Sequence, residues 1–319
     1  MAADLNGQTP VPHPLATPGT LQPWVSRGDP DELRHRAWQW VSSEALLAVL
    51  DAFGAEAEGP WDLSKLREWS TQHLDSRAGG ERHEARPAEY TSEQIRTLHQ
   101  AAGPLGLLRT AAPSEAAYDL TIVLGGTVTG NEVRVGFTFS LSNSGFDFGK
   151  LVGAAGHRQL SSSETRLALD AGAVPSAQQD EYEHLAWVLH RFSSAEKRRL
   201  LRGEGEPASF NSWRIEVLER DGQAVAYLVR APSRRAGRRA DTLDAVLFAR
   251  SHLGTGNGRM LVVTSSIYSP YSFFLLGPHA SASEPIEVVG TPTARSDQAD
   301  RQAQRYAQEI HATLSVLPL

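Results

Sequence analysis

Tyr118-Asp119-Leu120-Thr121-Ile122-Val123-Leu124-Gly125-Gly126 is a short apolar run that ends in two glycines. It reads as the first strand of an open α/β sheet, buried on both faces, with the glycines forming the turn into the first helix. In such sheets ligands bind beyond the carboxyl ends of the strands. The stretch therefore predicts both a fold class and the place to look for a site.

Working outward from this run, strands are expected over 151–154, 213–219, 224–230, 260–265 and 286–289. Helices are expected over 178–191, 195–202, 241–252 and 297–315. The alternation predicts an α/β fold over residues 113–319, a Rossmann-like, mostly parallel sheet with flanking helices. Asp221-Gly222 between two strand-like runs reads as a hairpin, so one edge is expected to be antiparallel. Val133, Val135, Phe137 and Phe139 alternate like a strand, yet the topology after the glycine turn calls for a crossover, and we read 131–141 as a helix. Residues 29–112 read as a small helical region and possible lid. Asp29-Pro30 starts its first run, and further helices are expected over 63–73 and from 93 to about 102. Residues 1–28 carry five prolines and read as a flexible arm, with Trp24 placed to pin its end.

Net charge is −6 at 319 residues, which argues against a nucleic-acid binder. The absence of cysteine excludes disulfides, iron–sulfur clusters and a thiol nucleophile. No run approaches the ~18 apolar residues of a membrane span, and the start of the chain does not read as a signal peptide. A cytoplasmic protein acting on an anionic small molecule is the expectation, with no nucleic-acid partner and no membrane; no cofactor, metal or oligomeric state is specified.

Candidate site residues fall at strand ends and in charged loops. Gly125, Gly126 and Thr127 allow close backbone approach and open a helix whose free N–H groups suit an anion. Thr264, Ser265 and Tyr268 follow another apolar run and read either as ligand donors or as a polar helix cap. The loop from Arg230 to Thr242 carries five arginines, with Ser233, Arg239 and Thr242 as binding candidates; the outer arginines read as a solvated loop. Asp241 and Asp244 are acid/base candidates, though Asp241 also reads as a helix cap. Arg158 is a binding candidate, and His157 with Glu164 a candidate acid/base pair, in a segment that reads equally as a turn with a capping serine. Arg77, Glu81 and Arg82, flanking a Gly-Gly, are candidate lid residues. The fingerprints of zincins, phosphate-loop NTPases, dinucleotide binders and α/β-hydrolases are missing.

Leu124-Gly125-Gly126, Glu164, Asp241-Thr242-Leu243-Asp244 and Val263-Thr264-Ser265 with Tyr268 together resemble the YdcF/SanA/ElyC superfamily. Arg77, Gly80, Glu81 and Arg82 are similar to a motif of an actinobacterial branch with a helical N-terminal segment. The resemblance implies a Rossmann-like fold, nucleotide- or S-adenosylmethionine-like binding and a cell-envelope role. The reading that follows is an enzyme, a transferase or hydrolase, on a phosphate-containing substrate. Its alternatives are a metabolite-binding or regulatory protein, and a methyltransferase. The last wants a carboxylate at the end of the second strand, which instead runs into Gly153-Ala154-Ala155-Gly156.

Overall fold

Eight strands form one sheet among the described residues: β1 (Trp24–Ser26), β2 (Leu120–Leu124), β3 (Lys150–Ala155), β4 (Lys197–Glu204), β5 (Trp213–Arg220), β6 (Gln223–Arg230), β7 (Met260–Ser265) and β8 (Ile286–Thr291). The computed structural model describes residues 23–55, 62–77, 87–206, 209–254, 257–293 and 298–318. The order across the sheet is β1-β8-β7-β2-β3-β6-β5-β4. β8, β7, β2, β3 and β6 run parallel, and β1, β5 and β4 pair antiparallel.

The burial of β2 explains its place. All of its residues are covered, so it must lie inside the sheet with helices on both faces. Counting only the parallel strands in chain order, the spatial order is third, second, first, fourth, fifth. The chain thus winds one way from β2 through β3 to β6, then returns across β2 to β7 and β8. The reversal falls between β2 and β7.

The helices are α1 (Pro30–Val41), α2 (Glu44–Ala52), α3 (Leu63–His73), α4 (Ser92–Ala102), α5 (Val128–Ser142), α6 (Ser162–Asp170), α7 (Glu181–Ser193), α8 (Thr242–Leu253), α9 (Ser269–Leu276) and α10 (Ala299–Val316). α5 and α7 share an apolar cluster with one face of the sheet, which includes Val123, Val263, Leu185 and Leu189. α8, α9 and α10 cover the other face. α1 to α4 share that second cluster, because Leu46 and Leu98 belong to the same continuous core as Ile122, Val262 and Leu314. Arg67 of α3 reinforces the junction by donating to the carbonyls of Leu314 and Leu317 at the end of α10, where unsatisfied carbonyls and the helix dipole favour a cation.

Residues 131–141 are helical, inside α5, as the topology requires. The hairpin is also present: Asp221 and Gly222 both have positive φ, 51° and 72°, the twist that suits a two-residue hairpin turn. Three expectations are corrected. Residues 195–202 are not a helix but most of β4. Their lysine, arginines and leucines are good helix formers, and pairing with β5 overrides that preference. The arm does not extend to residue 28, because Trp24 packs on Phe273 and Phe274 and its strand adds to β8. Both edges of the sheet, not one, are therefore antiparallel. The long run after Asp29 is two helices, separated where Ser43 caps α2.

Because helices and sheet share a core, they should unfold together. Leu98→Ala removes a fully buried side chain and should cost about 2–5 kcal/mol. In a denaturant titration, far-ultraviolet circular dichroism and tryptophan fluorescence should shift by the same amount; two separated transitions would contradict the shared core.

Candidate functional site

Each crossover helix begins just beyond the carboxyl end of its strand, so the N-termini of α5, α8 and α9 gather at one rim. The rim can be followed as a closed circuit of contacts. The Gly125 N–H donates to the Ala154 carbonyl at 2.7 Å, joining the ends of β2 and β3. A Cβ on Gly156 would lie 2.7 Å from the Ala240 carbonyl, so the turn after β3 touches the start of α8. Tyr271, near the start of α9, is raised to about 12 by burial, then by the charges of Asp241 and Glu309, and is lowered in part by Arg235 and Arg77. Its helix α9 packs against both α8 and α10. Arg134 closes the circuit. Its Nε donates to Ser265 Oγ at 3.1 Å, and its Nη1 donates to the carbonyls of Leu124 and Gly125, both at 2.6 Å. The guanidinium also lies 5.8 Å from the Tyr268 ring centre.

Arg134 was not among the candidates drawn from the sequence. It projects from α5 and is 3% exposed. It places a guanidinium between the ends of β2 and β7, where the winding reverses. Both turn glycines are closely packed by side chains. A Cβ on Gly125 would meet Glu181 Oε1 at 2.5 Å, and one on Gly126 would meet Arg134 Nη1 at 2.8 Å. Thr127 caps α5 by accepting from the Gly130 N–H. The N–H groups of Gly126, Thr127, Val128 and Thr129 donate to no group among the described residues, as is usual for a first helical turn.

The three carboxylates among the acid/base candidates have structural duties. Asp241 and Asp244 form a reciprocal capping box at the start of α8, and Asp244, which is buried, also accepts from Arg234. Glu164 forms a second capping box with Ser161 and accepts both Nη atoms of Arg158 at 2.9 Å. Burial alone would raise the Glu164 carboxyl, but Arg158 and the Ser161 groups bring it below the usual carboxylate value. Arg158 is held equally firmly. Burial opposes its charge, while Glu164 and Glu181 keep it cationic, and it also donates to the Gly126 carbonyl at 2.9 Å. Arg158 thus braces the glycine turn from outside.

His157 and Glu164 do not form a pair. Glu164 is taken by Arg158, and His157 Nδ1 instead lies 3.7 Å from Asp180, the cap of α7. His157 is lowered below its ordinary value by burial and by the charge of Arg230, against the pull of Asp180. Behind the turn, His184 Nδ1 meets the Asn131 amide at 3.2 Å, and both side chains are fully buried. Burial, then the charge of Arg191, lowers His184 to about 4 against the pull of Glu164.

The other candidates separate into two groups. Thr242 and Tyr268 are half-buried on the rim, as is Arg239 just before α8. Thr264, at 2% exposure, is buried inside β7, and Ser265 faces Arg134 rather than solvent. Ser233 stabilises its own loop, accepting from the Arg235 N–H and donating to the Arg235 carbonyl. Arg77 reaches α10, where it donates to Glu309 at 2.9 Å, and it is close enough to influence Tyr271. Glu81 and Arg82 lie outside the described residues. Among the described residues no group of three His, Asp or Glu side chains is arranged to hold a metal ion, and no helix is long and apolar enough to cross a membrane.

A family model described as the Rv3785 N-terminal domain matches residues 25–106. The match begins on β1 and ends just beyond α4. No curated protein and no solved structure matches the chain.

Two outcomes follow from these environments. Arg158→Met would leave Glu164 and Glu181 facing each other without their cation, and should destabilise the protein by about 3–5 kcal/mol in chemical denaturation. His184 takes up its proton in the unfolded chain first, so it should remove stability as pH falls from about 6.5 towards about 4. Over that window His184→Gln should show a flatter fall than the parent; parallel curves would mean that His184 is not held neutral.

Proposed function

We propose that the protein binds a small anionic molecule in the crevice between the carboxyl ends of β2 and β7. The observation that carries this reading is the placement of Arg134. Its guanidinium joins the two strand ends, bonded to the Leu124 and Gly125 carbonyls and to Ser265, beside the turn whose following N–H groups find no acceptor among the described residues. Helix N-termini attract anions through those N–H groups and the helix dipole, and the glycine turn lets a ligand approach the backbone. Phosphate or carboxylate is the matching chemistry. The turn and the Val263-Thr264-Ser265 strand end that prompted the YdcF/SanA/ElyC resemblance are the elements involved. Neither a dinucleotide nor an S-adenosylmethionine reading gains support, since β3 ends in Ala155 and is followed by Gly156 and His157 rather than a ribose-binding carboxylate.

Binding is favoured over catalysis because Asp241, Asp244 and Glu164 cap helices and pair with arginines. A transferase or hydrolase is the second reading, and His157 favours it. This histidine sits just beyond the end of β3 and is kept neutral near pH 7 by burial and the charge of Arg230, which is itself paired with the neighbouring Asp180.

The test uses thermal denaturation with inorganic phosphate, pyrophosphate and ADP. At least one should raise the midpoint in a saturable way, by an amount that corresponds to about 2.7 kcal/mol at a hundredfold excess over Kd. Gly126→Ala, which drives a methyl group into Arg134, should abolish most of that rise. A rise that survives Gly126→Ala would place the ligand elsewhere. With a ligand in hand, His157→Gln should preserve binding under either reading and eliminate turnover only under the second.

A further inference from the structure

The two edges of the sheet are finished differently. β1 is three residues long, and Trp24 and Ser26 are buried beneath neighbouring elements. β4 is eight residues long, stands last in the sheet order, and is exposed at every position. Its outer N–H and C=O groups are therefore an open template for another strand. Leu200 and Leu201 are 58% and 39% exposed on this edge, where neither packs in a core.

The side chains of β4 sort by face. Lys197, Arg199 and Arg202 stand opposite Glu219, Val217 and Ile215 of β5, three residues that share one face of their strand. The register shifts between Leu200 and Arg202, and this bulge brings Arg202 onto the same face as Lys197 and Arg199. Without it, strict alternation would send Arg202 to the other side. Arg199 pairs with Glu219, while Lys197 and Arg202 enter no ion pair among the described residues. The opposite face carries Arg198, which is held by Glu183 and Glu216 of the protein itself, and Leu200.

Glu204, opposite Trp213, ends the same face. A second copy paired antiparallel over the full strand would set Arg199 against Arg202, and like charges facing each other across strands are destabilising, though Lys197 would meet Glu204. A strand with carboxylates at alternate positions would meet the cationic stripe, and its intervening apolar side chains would lie beside Leu200. We propose that β4 is a docking edge for an extended acidic segment of another protein, added as a further antiparallel or parallel strand with alternating acidic and apolar residues. Main-chain hydrogen bonds supply the affinity and the alternate side chains the selectivity. Nucleic acid would match the cations but has no use for the exposed leucines, and the chain as a whole carries −6.

The experiment uses the full chain and a fluorescent, end-blocked peptide of alternating Glu and Val, followed by anisotropy at low salt. Binding should be saturable and should weaken as salt is added. The Lys197→Glu/Arg202→Glu double variant, changed only at exposed positions and checked by circular dichroism, should bind at least about tenfold more weakly. The same peptide methylated on alternate backbone nitrogens keeps its charge but cannot complete the ladder, and should also lose at least about tenfold. Four results would overturn the proposal: no saturable binding, equal binding of the methylated peptide, equal binding of a Lys-Val peptide, or tighter binding of an oligothymidylate. Sedimentation velocity should show no self-association that depends on β4; a dimer dissolved by the double variant would make this edge a self-interface instead.

Discussion

A guanidinium placed almost out of solvent at the point where the winding of the sheet reverses is the constraint on which the rim depends. Burying a charge is costly unless its hydrogen-bonding groups are met. Arg134 meets the carbonyls of Leu124 and Gly125 and the hydroxyl of Ser265, and so ties the end of β2 to the end of β7. The same guanidinium occupies the space that a side chain on Gly126 would enter. Arg158 does the corresponding work on the far side, holding the Gly126 carbonyl while anchored to α6 and α7 through Glu164 and Glu181. The turn is thus held between two arginines, Arg134 from α5 and Arg158 from the loop after β3. Preorganised N–H donors are the usual basis of anion recognition at a helix start.

The carboxylates around the rim have a consistent role. Asp241, Asp244, Glu164 and Asp180 all lie within the first turn of a helix or cap it, where the positive end of the helix dipole favours them. Capping and ion pairing fix the helix starts in position. This arrangement suits a site whose shape must be kept, and among the described residues of this rim it leaves His157, whose largely buried side chain lies near Asp180, as a group with a base's chemistry.

Much of the fold could be read in the chain because the signals were local. The apolar run before Gly125 marks a central strand, Asp221-Gly222 marks a hairpin, and the glycine turn marks the start of the first crossover helix. β4 could not be read this way: Lys197 to Arg202 favour helix by composition, and only the partner strand decides otherwise. Arg134 was hidden for the same reason. It stands between Val133 and Val135 in a segment whose pattern is ambiguous, and its burial follows from where α5 lands against β7. The structural duties of Glu164 and Asp244 did leave a trace. Ser161 and Glu164, like Asp241 and Asp244, have the spacing of a capping box. That spacing identifies a helix start and says nothing of a ligand, whereas the partner of His157 came from a helix cap more than twenty residues away in sequence and left no local sign.

The central claim is that an anion sits over Arg134, and amide chemical shifts during a pyrophosphate titration test it most directly. The account predicts saturable shifts concentrated on the N–H groups of Gly126, Thr127, Val128 and Thr129, with smaller changes at Ser266. A groove of about 440 Å³ at the opposite end of the strands, lined in part by Arg27, Tyr118 and Arg259, offers a clear contrast. Shifts confined to Arg27, Tyr118 and Arg259, with the turn after β2 unmoved, would contradict the account.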